Sequence, residues 1–276
     1  MKNDFEQFID VYLQRQRKCL ITDAMIYAME GGKRFRPRII FAILKGFGID
    51  ESKGYDAALA LEMIQTYSLI HDDLPAMDND DMRRGKPSLH KAFREDIAIL
   101  TGDQLLNDAF RVISESEDYD SDVKVSLIHA LSKYAGSDGM IYGQLLDVTA
   151  DEKEFIKVLL DEIQDNKTGG LFKISCLFPM YIAGVEEEEY FTGLGSLIGR
   201  IFQNQDDLFD LIKTEQEMGK NLSDQKNNKA TALSVYSPQE LKNLISEEFD
   251  QLDRYLDKAC FDTLELKGLL KKLQER

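Results

Sequence analysis

No stretch of this chain approaches the roughly 18 consecutive apolar residues of a membrane span, and its first segment, MKNDFEQFIDVYLQRQRK, lacks the apolar core of a secretory signal. A soluble, cytoplasmic protein without stable membrane association is expected. Cysteine is nearly absent. Cys19, Cys176 and Cys260 are odd in number, far apart and outside any C-x-x-C spacing, which excludes a disulfide framework, suggests no zinc site and predicts reduced thiols. Proline is scarce, five in 276 residues, and the 18 glycines fall mostly in short clusters; that suits long helices better than many short turn-linked strands. Positive charge is also in deficit: 34 basic against 50 acidic side chains give a net charge of −16. Such a far field repels nucleic acid and anionic membrane surfaces, so no nucleic-acid partner is expected. Any anionic substrate needs local help from a metal or a basic pocket.

What is present is helical periodicity almost throughout. Phe155, Ile156, Leu159, Leu160 and Ile163 form one apolar stripe, and Leu194, Leu197, Ile198, Ile201, Phe202, Leu208, Phe209 and Ile212 form another. No convincing strand series exists. The spacing predicts helices over 4–18, 22–30, 36–47, 54–73, 90–115, 121–135, 138–149, 152–166, 168–183, 188–213, 238–258 and 263–274. No linker, repeat or low-complexity tract divides them, so the expectation is one all-α domain over residues 1–276, a bundle of mostly antiparallel neighbours.

Two aspartate clusters break the blandness of this pattern. In QDDLFD, Asp206, Asp207 and Asp210 stand at i,i+4 and i,i+3 spacing, which projects their carboxylates from one helix face. In HDDLPAMDNDDMRRGKP, Pro75 disfavours helix at Leu74 and should turn Asp78 back beside Asp72 and Asp73. Carboxylates about 4 Å apart repel by roughly 4 kcal/mol at an effective dielectric near 20, so such groups want cations. A single DDxxD is more often a solvated acidic face; two in one helical chain favour a metal site. Oxygen-only ligands point to a hard divalent ion, and Mg²⁺ typically binds through one or two carboxylates while sharing phosphate oxygens with a substrate.

Cations surround these clusters in the sequence. Arg83 and Arg84 can offer bidentate forks to phosphate, while Gly31, Gly32, Lys33, Arg34 and Arg36 place cations and backbone N–H groups at a helix start. Lys167, Lys220 and Lys229 fall at or near helix ends. Together they imply a substrate with two or more phosphates. His90 and His129 are expected at surface or capping positions.

GGKRFRP, YSLIHDDLPAMDNDDMRRGKP, NKTGGLFK, FQNQDDLFD and NNKAT, in that order, resemble the trans-isoprenyl diphosphate synthases, most closely the bacterial-type farnesyl diphosphate synthases, over roughly residues 30–235. The resemblance implies a helical bundle around a deep central cavity, usually as a homodimer. It implies that Asp72, Asp73, Asp78, Asp206, Asp207 and Asp210 hold three Mg²⁺ ions on the diphosphate of dimethylallyl or geranyl diphosphate, with Arg83, Lys167 and Lys220 adding charge. Gly32, Lys33, Arg36, Gln65, Arg84 and Lys229 are then further substrate-binding positions, with Lys33, Arg36 and Arg84 on the diphosphate of isopentenyl diphosphate. Thr168 and Gln203 would stabilise the allylic cation, and departing pyrophosphate would take the final proton. Tyr67 and Ser68, just before Asp72, match the farnesyl pattern of chain-length control.

Two departures from the family pattern stand out. Gln65 replaces the usual histidine, and the stretch NLSD after Lys220 lacks a glycine and is one residue short. Gln144 and Asp147 of GQLLDV match a further motif near the cavity. Alternatives are a geranyl or geranylgeranyl synthase, or a non-catalytic partner subunit. A terpene cyclase would not need the GGKRFRP site, and a phosphohydrolase would release orthophosphate without isopentenyl diphosphate.

Overall fold

The computed structural model describes residues 4–150, 157–217 and 231–275. Among the described residues, thirteen α-helices make up nearly all of the regular structure. The first four are α1 (Asp4–Arg15), α2 (Leu20–Met29), α3 (Phe35–Gly46) and α4 (Tyr55–Asp72). After a small hairpin come α5 (Leu89–Phe93), α6 (Glu95–Glu115), α7 (Ser121–Ala135), α8 (Met140–Thr149) and α9 (Lys157–Ile163). The last are α10 (Gly169–Ile182), α11 (Glu188–Glu217), α12 (Pro238–Leu256) and α13 (Leu264–Gln274). The predicted all-α class holds.

Helices α4 and α10 form the centre. Ala57–Ile64 of α4 and Gly169–Met180 of α10 are buried without interruption, as sequences apolar around most of the helix circumference require. Helix α10 packs on α3, α7 and α11, and α4 packs chiefly on α6. One contiguous apolar cluster runs from Phe5 in α1 to Leu273 in α13. Glycines set the closest approach: a Cβ at Gly195 of α11 would lie 2.5 Å from the Lys173 Cα of α10.

Local chemistry fixes where the helices stop. Asp120 caps α7 by accepting from the Val123 N–H, and Ser237 with Glu240 forms a reciprocal capping box on α12, with Pro238 in its first turn. Helix α4 ends at Asp72, three residues before Pro75. The chain then curls back, and the Asp78 N–H donates to the Asp72 carbonyl at 2.8 Å.

The structure departs from the periodicity at three places. The segment 82–87 is a two-stranded antiparallel hairpin, Met82 opposite Pro87 and Arg83 opposite Lys86. Its turn residues Arg84 (φ 53°) and Gly85 (φ 75°) are both left-handed, the conformation that lets a two-residue turn follow strand twist. The helix expected over 90–115 is broken at Arg94 (φ 91°) into α5 and α6. Residues 152–156 of the helix expected over 152–166 lie outside the described residues, and its end gives way to a π-helical turn, Gln164–Thr168, that joins α9 to α10. Among the described residues no helix is long and apolar enough to cross a membrane.

Replacing Gly195 with alanine forces α10 and α11 apart at a backbone contact. The expected outcome is a loss of about 1–3 kcal/mol in urea unfolding; an unchanged midpoint would show that the helices move apart freely.

Candidate active site

The ends of α4 and α10 meet at an open cavity of ≈570 Å³, lined by Arg36, Gln65, Tyr67, Ser68, Asp72, Gln144, Lys167, Thr168 and apolar side chains including Leu74, Met140 and Leu171. Its position follows from burial: two helices enclosed on all sides expose polar groups only where they terminate. Tyr67 lies one turn and a residue before Asp72 and is 6% exposed, its hydroxyl without a partner among the described residues and its ring edge-on to His71. Burial pushes the Tyr67 hydroxyl up to about 12. Ser68 turns its hydroxyl back onto the Gln65 carbonyl at 3.0 Å, and the buried Gln65 Oε1 has no partner among the described residues.

Asp72 and Asp73 are individually tethered. Gln144 Nε2 donates to Asp72 Oδ1 at 2.9 Å. Asp73 is buried and takes a fork from Arg83, whose Nε donates at 3.0 and 3.2 Å. Burial raises the Asp73 carboxyl above its ordinary range, and the Arg83 guanidinium opposes the rise. Arg83 also reaches Asp80 at 3.2 Å. Asp78 is half-buried behind Asp72.

On α11, Gln203 links the second aspartate cluster to the cavity. The Thr168 hydroxyl donates to Gln203 Oε1 at 2.7 Å, Gln203 Nε2 donates to Asp207 Oδ1 at 2.8 Å, and the Ala232 N–H donates to Asp207 Oδ2 at 2.6 Å. This chain turns the Thr168 proton away and leaves that oxygen's lone pairs for a positive group. Asp206 is exposed on the same helix. The Asp210 side chain, Lys220 and Lys229 lie outside the described residues.

Among the cations, Arg36 stands apart. It stacks 4.4 Å from the Phe172 ring centroid, and its buried Nε has no partner among the described residues. Burial pulls its guanidinium down to about 10, against the pull of Glu62 and Asp206, so it stays charged at neutral pH. Lys167 pairs with Asp147 of α8. Arg84 lies beside Asp73 and Arg83 in an adjoining cleft, its guanidinium against Gly32, where a Cβ would fall 3.2 Å from Arg84 Cζ. Gly32 and Lys33 open onto a third recess between α1, α3 and α13.

Arg34, expected among the phosphate-binding cations of this segment, holds the GGKRFRP loop. It is 6% exposed and left-handed (φ 48°), bonded to Glu6 of α1 at 2.7 Å, Glu62 of α4 at 2.6 Å and the Met29 carbonyl of α2 at 2.6 Å. Its two carboxylate partners lie 28 residues away in either direction, a separation that hides the arrangement from motif reading. His90 corrects another expectation: it is buried at 8% exposure and bonded to Ser88 at 3.1 Å.

The donors near the cavity are carboxylate and amide oxygens. Among the described residues no group of three His, Cys, Asp or Glu side chains closes on one point, as mutual repulsion between carboxylates demands. An oxygen-only set with room for phosphate suits a hard ion such as Mg²⁺ that completes its shell with water and substrate; it does not suit zinc.

An all-α bundle with tethered aspartates and buried cations around an apolar cavity has the architecture of the isoprenoid synthases, helical enzymes that handle diphosphates. The polyprenyl synthetase profile matches residues 18–264, and the chain belongs to that family. It is 38% identical to a farnesyl diphosphate synthase of Geobacillus stearothermophilus over 95% of this chain and 90% of that protein. A chloroplastic geranylgeranyl pyrophosphate synthase of Catharanthus roseus is 40% identical over 72% of this chain and 57% of that one. The crystal structure of a geranyltransferase from Helicobacter pylori, complexed with magnesium and isoprenyl diphosphate, superposes with a TM-score of 0.84 at 28% identity, covering 100% of this chain and 99% of that one.

Arg34→Met strands the buried Glu62 carboxylate. The expected loss of stability is about 3–5 kcal/mol by denaturant titration at neutral pH; a change below 1 kcal/mol would show that the network is dispensable.

Proposed function

We propose that this chain condenses isopentenyl diphosphate with dimethylallyl and then geranyl diphosphate to give farnesyl diphosphate and pyrophosphate. The observation that carries the reading is a largely apolar cavity lined by Asp72, Lys167, Thr168 and Arg36 together with the buried Tyr67. A diphosphate belongs among the charges and a prenyl chain along the apolar lining.

Asp72, Asp73 and Asp78, with Asp206, Asp207 and Asp210, are the candidates to hold magnesium, three ions in the full complex. When bound, the metal supplies positive charge that stabilises diphosphate as a leaving group. Arg83 and Lys167, with Lys220, add cationic donors to the same diphosphate, so the allylic C–O bond ionises without a protein nucleophile. The Thr168 oxygen, its proton committed to Gln203, faces the developing carbocation. Lys33, Arg36 and Arg84 orient isopentenyl diphosphate so that its double bond attacks that carbon, with Gln65 offering a hydrogen bond in place of a charge and Lys229 completing the site. The departing pyrophosphate removes the final proton. Gln144 positions Asp72 and Asp147 positions Lys167. The protein acts as one domain, as a homodimer, in the cytoplasm.

Tyr67 floors the chain-length pocket beside Ser68. A geranylgeranyl product is the second reading, since the relatives include synthases named for that longer chain.

Incubating the purified protein with Mg²⁺, labelled isopentenyl diphosphate and either starter should give a fifteen-carbon product from both. A ten- or twenty-carbon product would remove the Tyr67 floor, and no condensation would overturn the reading. Tyr67→Ala should lengthen the product. Asp72→Ala should lower kcat by about a hundredfold or more, with chelation abolishing wild-type turnover and Mg²⁺ restoring it.

A further inference from the structure

We infer that Lys173 and Asn204 are positioning residues that hold the π-helical turn Gln164–Thr168 in the form that presents Lys167 and Thr168 to the cavity. The role of the presented residues rests on the function proposed above; the manner of holding does not.

A π-helical turn is rare and needs outside support. Returning its five residues to α geometry would shift the register by one residue, a rotation of about 100°, and would carry Lys167 and Thr168 off the cavity wall. Two independent grips oppose that return. Lys173, inside α10 and 6% exposed, places its ammonium 2.7 Å from the Asp165 carboxylate and 3.2 Å from the Asp165 carbonyl. A buried ammonium aimed at a backbone carbonyl of the turn supplies a donor from outside the helical ladder.

The second grip comes from α11. Gln164 (4% exposed) donates to Asn204 Oδ1 at 3.1 Å, and Asn204 (2% exposed) donates to Glu248 Oε2 of α12 at 3.0 Å. Glu248, itself paired with Arg200 at 2.8 Å, fixes which way the Asn204 amide faces. Since neighbouring Gln203 accepts from Thr168, one helix grips both the first and the last residue of the turn. Packing leaves the turn little room: a Cβ at Gly143 of α8 would meet the Lys167 nitrogen at 2.1 Å, and one at Gly199 of α11 would meet the Gly169 Cα at 2.8 Å. Neither Lys173 nor Asn204 lines the cavity, so their effect reaches the substrate only through the turn.

The test uses the full chain with Lys173→Met, Asn204→Ala and Lys173→Arg, each read by amide hydrogen exchange and by steady-state kinetics. In Lys173→Met and Asn204→Ala, exchange should quicken at residues 164–169, and kcat with the allylic diphosphate should fall about ten- to a hundredfold, the scale of a misplaced reacting group. KM for isopentenyl diphosphate should stay within about twofold, because Lys33 and Arg84 of that proposed site lie in recesses that the turn does not line. Lys173→Arg should recover most of the loss. Unchanged exchange, or undiminished kcat in both Met and Ala variants, would overturn the inference. So would a loss that Lys173→Arg shares and that follows Tm alone. If wild type does not condense these substrates, the proposed function fails and the exchange result alone decides whether the turn is gripped. If Lys173→Met does not fold, Asn204→Ala decides.

Discussion

Everything at the cavity mouth depends on the burial of α4 and α10. A helix apolar on nearly every side can lie only at the centre of a bundle, and polar chemistry is then confined to its ends. Helix α4 ends in Asp72 and Asp73 because Pro75 forbids continuation, and α10 begins at the turn carrying Lys167 and Thr168. Both ends open on the same cavity. The site is therefore a consequence of how the core is enclosed, and its geometry is as rigid as that packing.

The second constraint is charge. A chain of net charge −16 that gathers aspartates at one place must keep them from unfolding their own surroundings. It does so unevenly. Asp73, the most buried of the first cluster, receives a full guanidinium from Arg83, while Asp72 and Asp207 are oriented by the neutral donors of Gln144 and Gln203. Neutral donors fix a carboxylate in space without cancelling its charge, and so preserve its attraction for a cation. Arg36 is the converse: a cation against aromatic rings with one buried N–H unpartnered among the described residues. Charged groups of both signs thus line one largely apolar space, which suits the metal–diphosphate complex proposed for it.

Glycine decides how closely the supporting helices approach this region. At Gly143, Gly195 and Gly199 a single methyl would overlap backbone atoms of the π turn or of α10. The turn is thus confined by contact as well as by hydrogen bonds, and its shape is set by three other helices more than by its own residues.

The sequence by itself determined the all-α class, most helix positions and the grouping of aspartates and cations into a few short segments, because periodicity and local spacing report on a helix's own neighbours. It also placed Pro75 so that Asp78 would fold back toward Asp72. Tertiary structure alone decided the rest. The hairpin at 82–87 needs Arg84 as well as Gly85 at positive φ, and the helix break needs Arg94 there, and an arginine in that conformation carries no compositional mark. The π turn looks like ordinary helix in the residue pattern, since one extra residue per turn is imposed by Lys173, Asn204 and the glycine contacts. Arg34 reads as one more surface cation of GGKRFRP until the bundle brings Glu6 and Glu62 to it. Long-range partners of this kind are fixed by packing, and spacing along the chain holds no record of them.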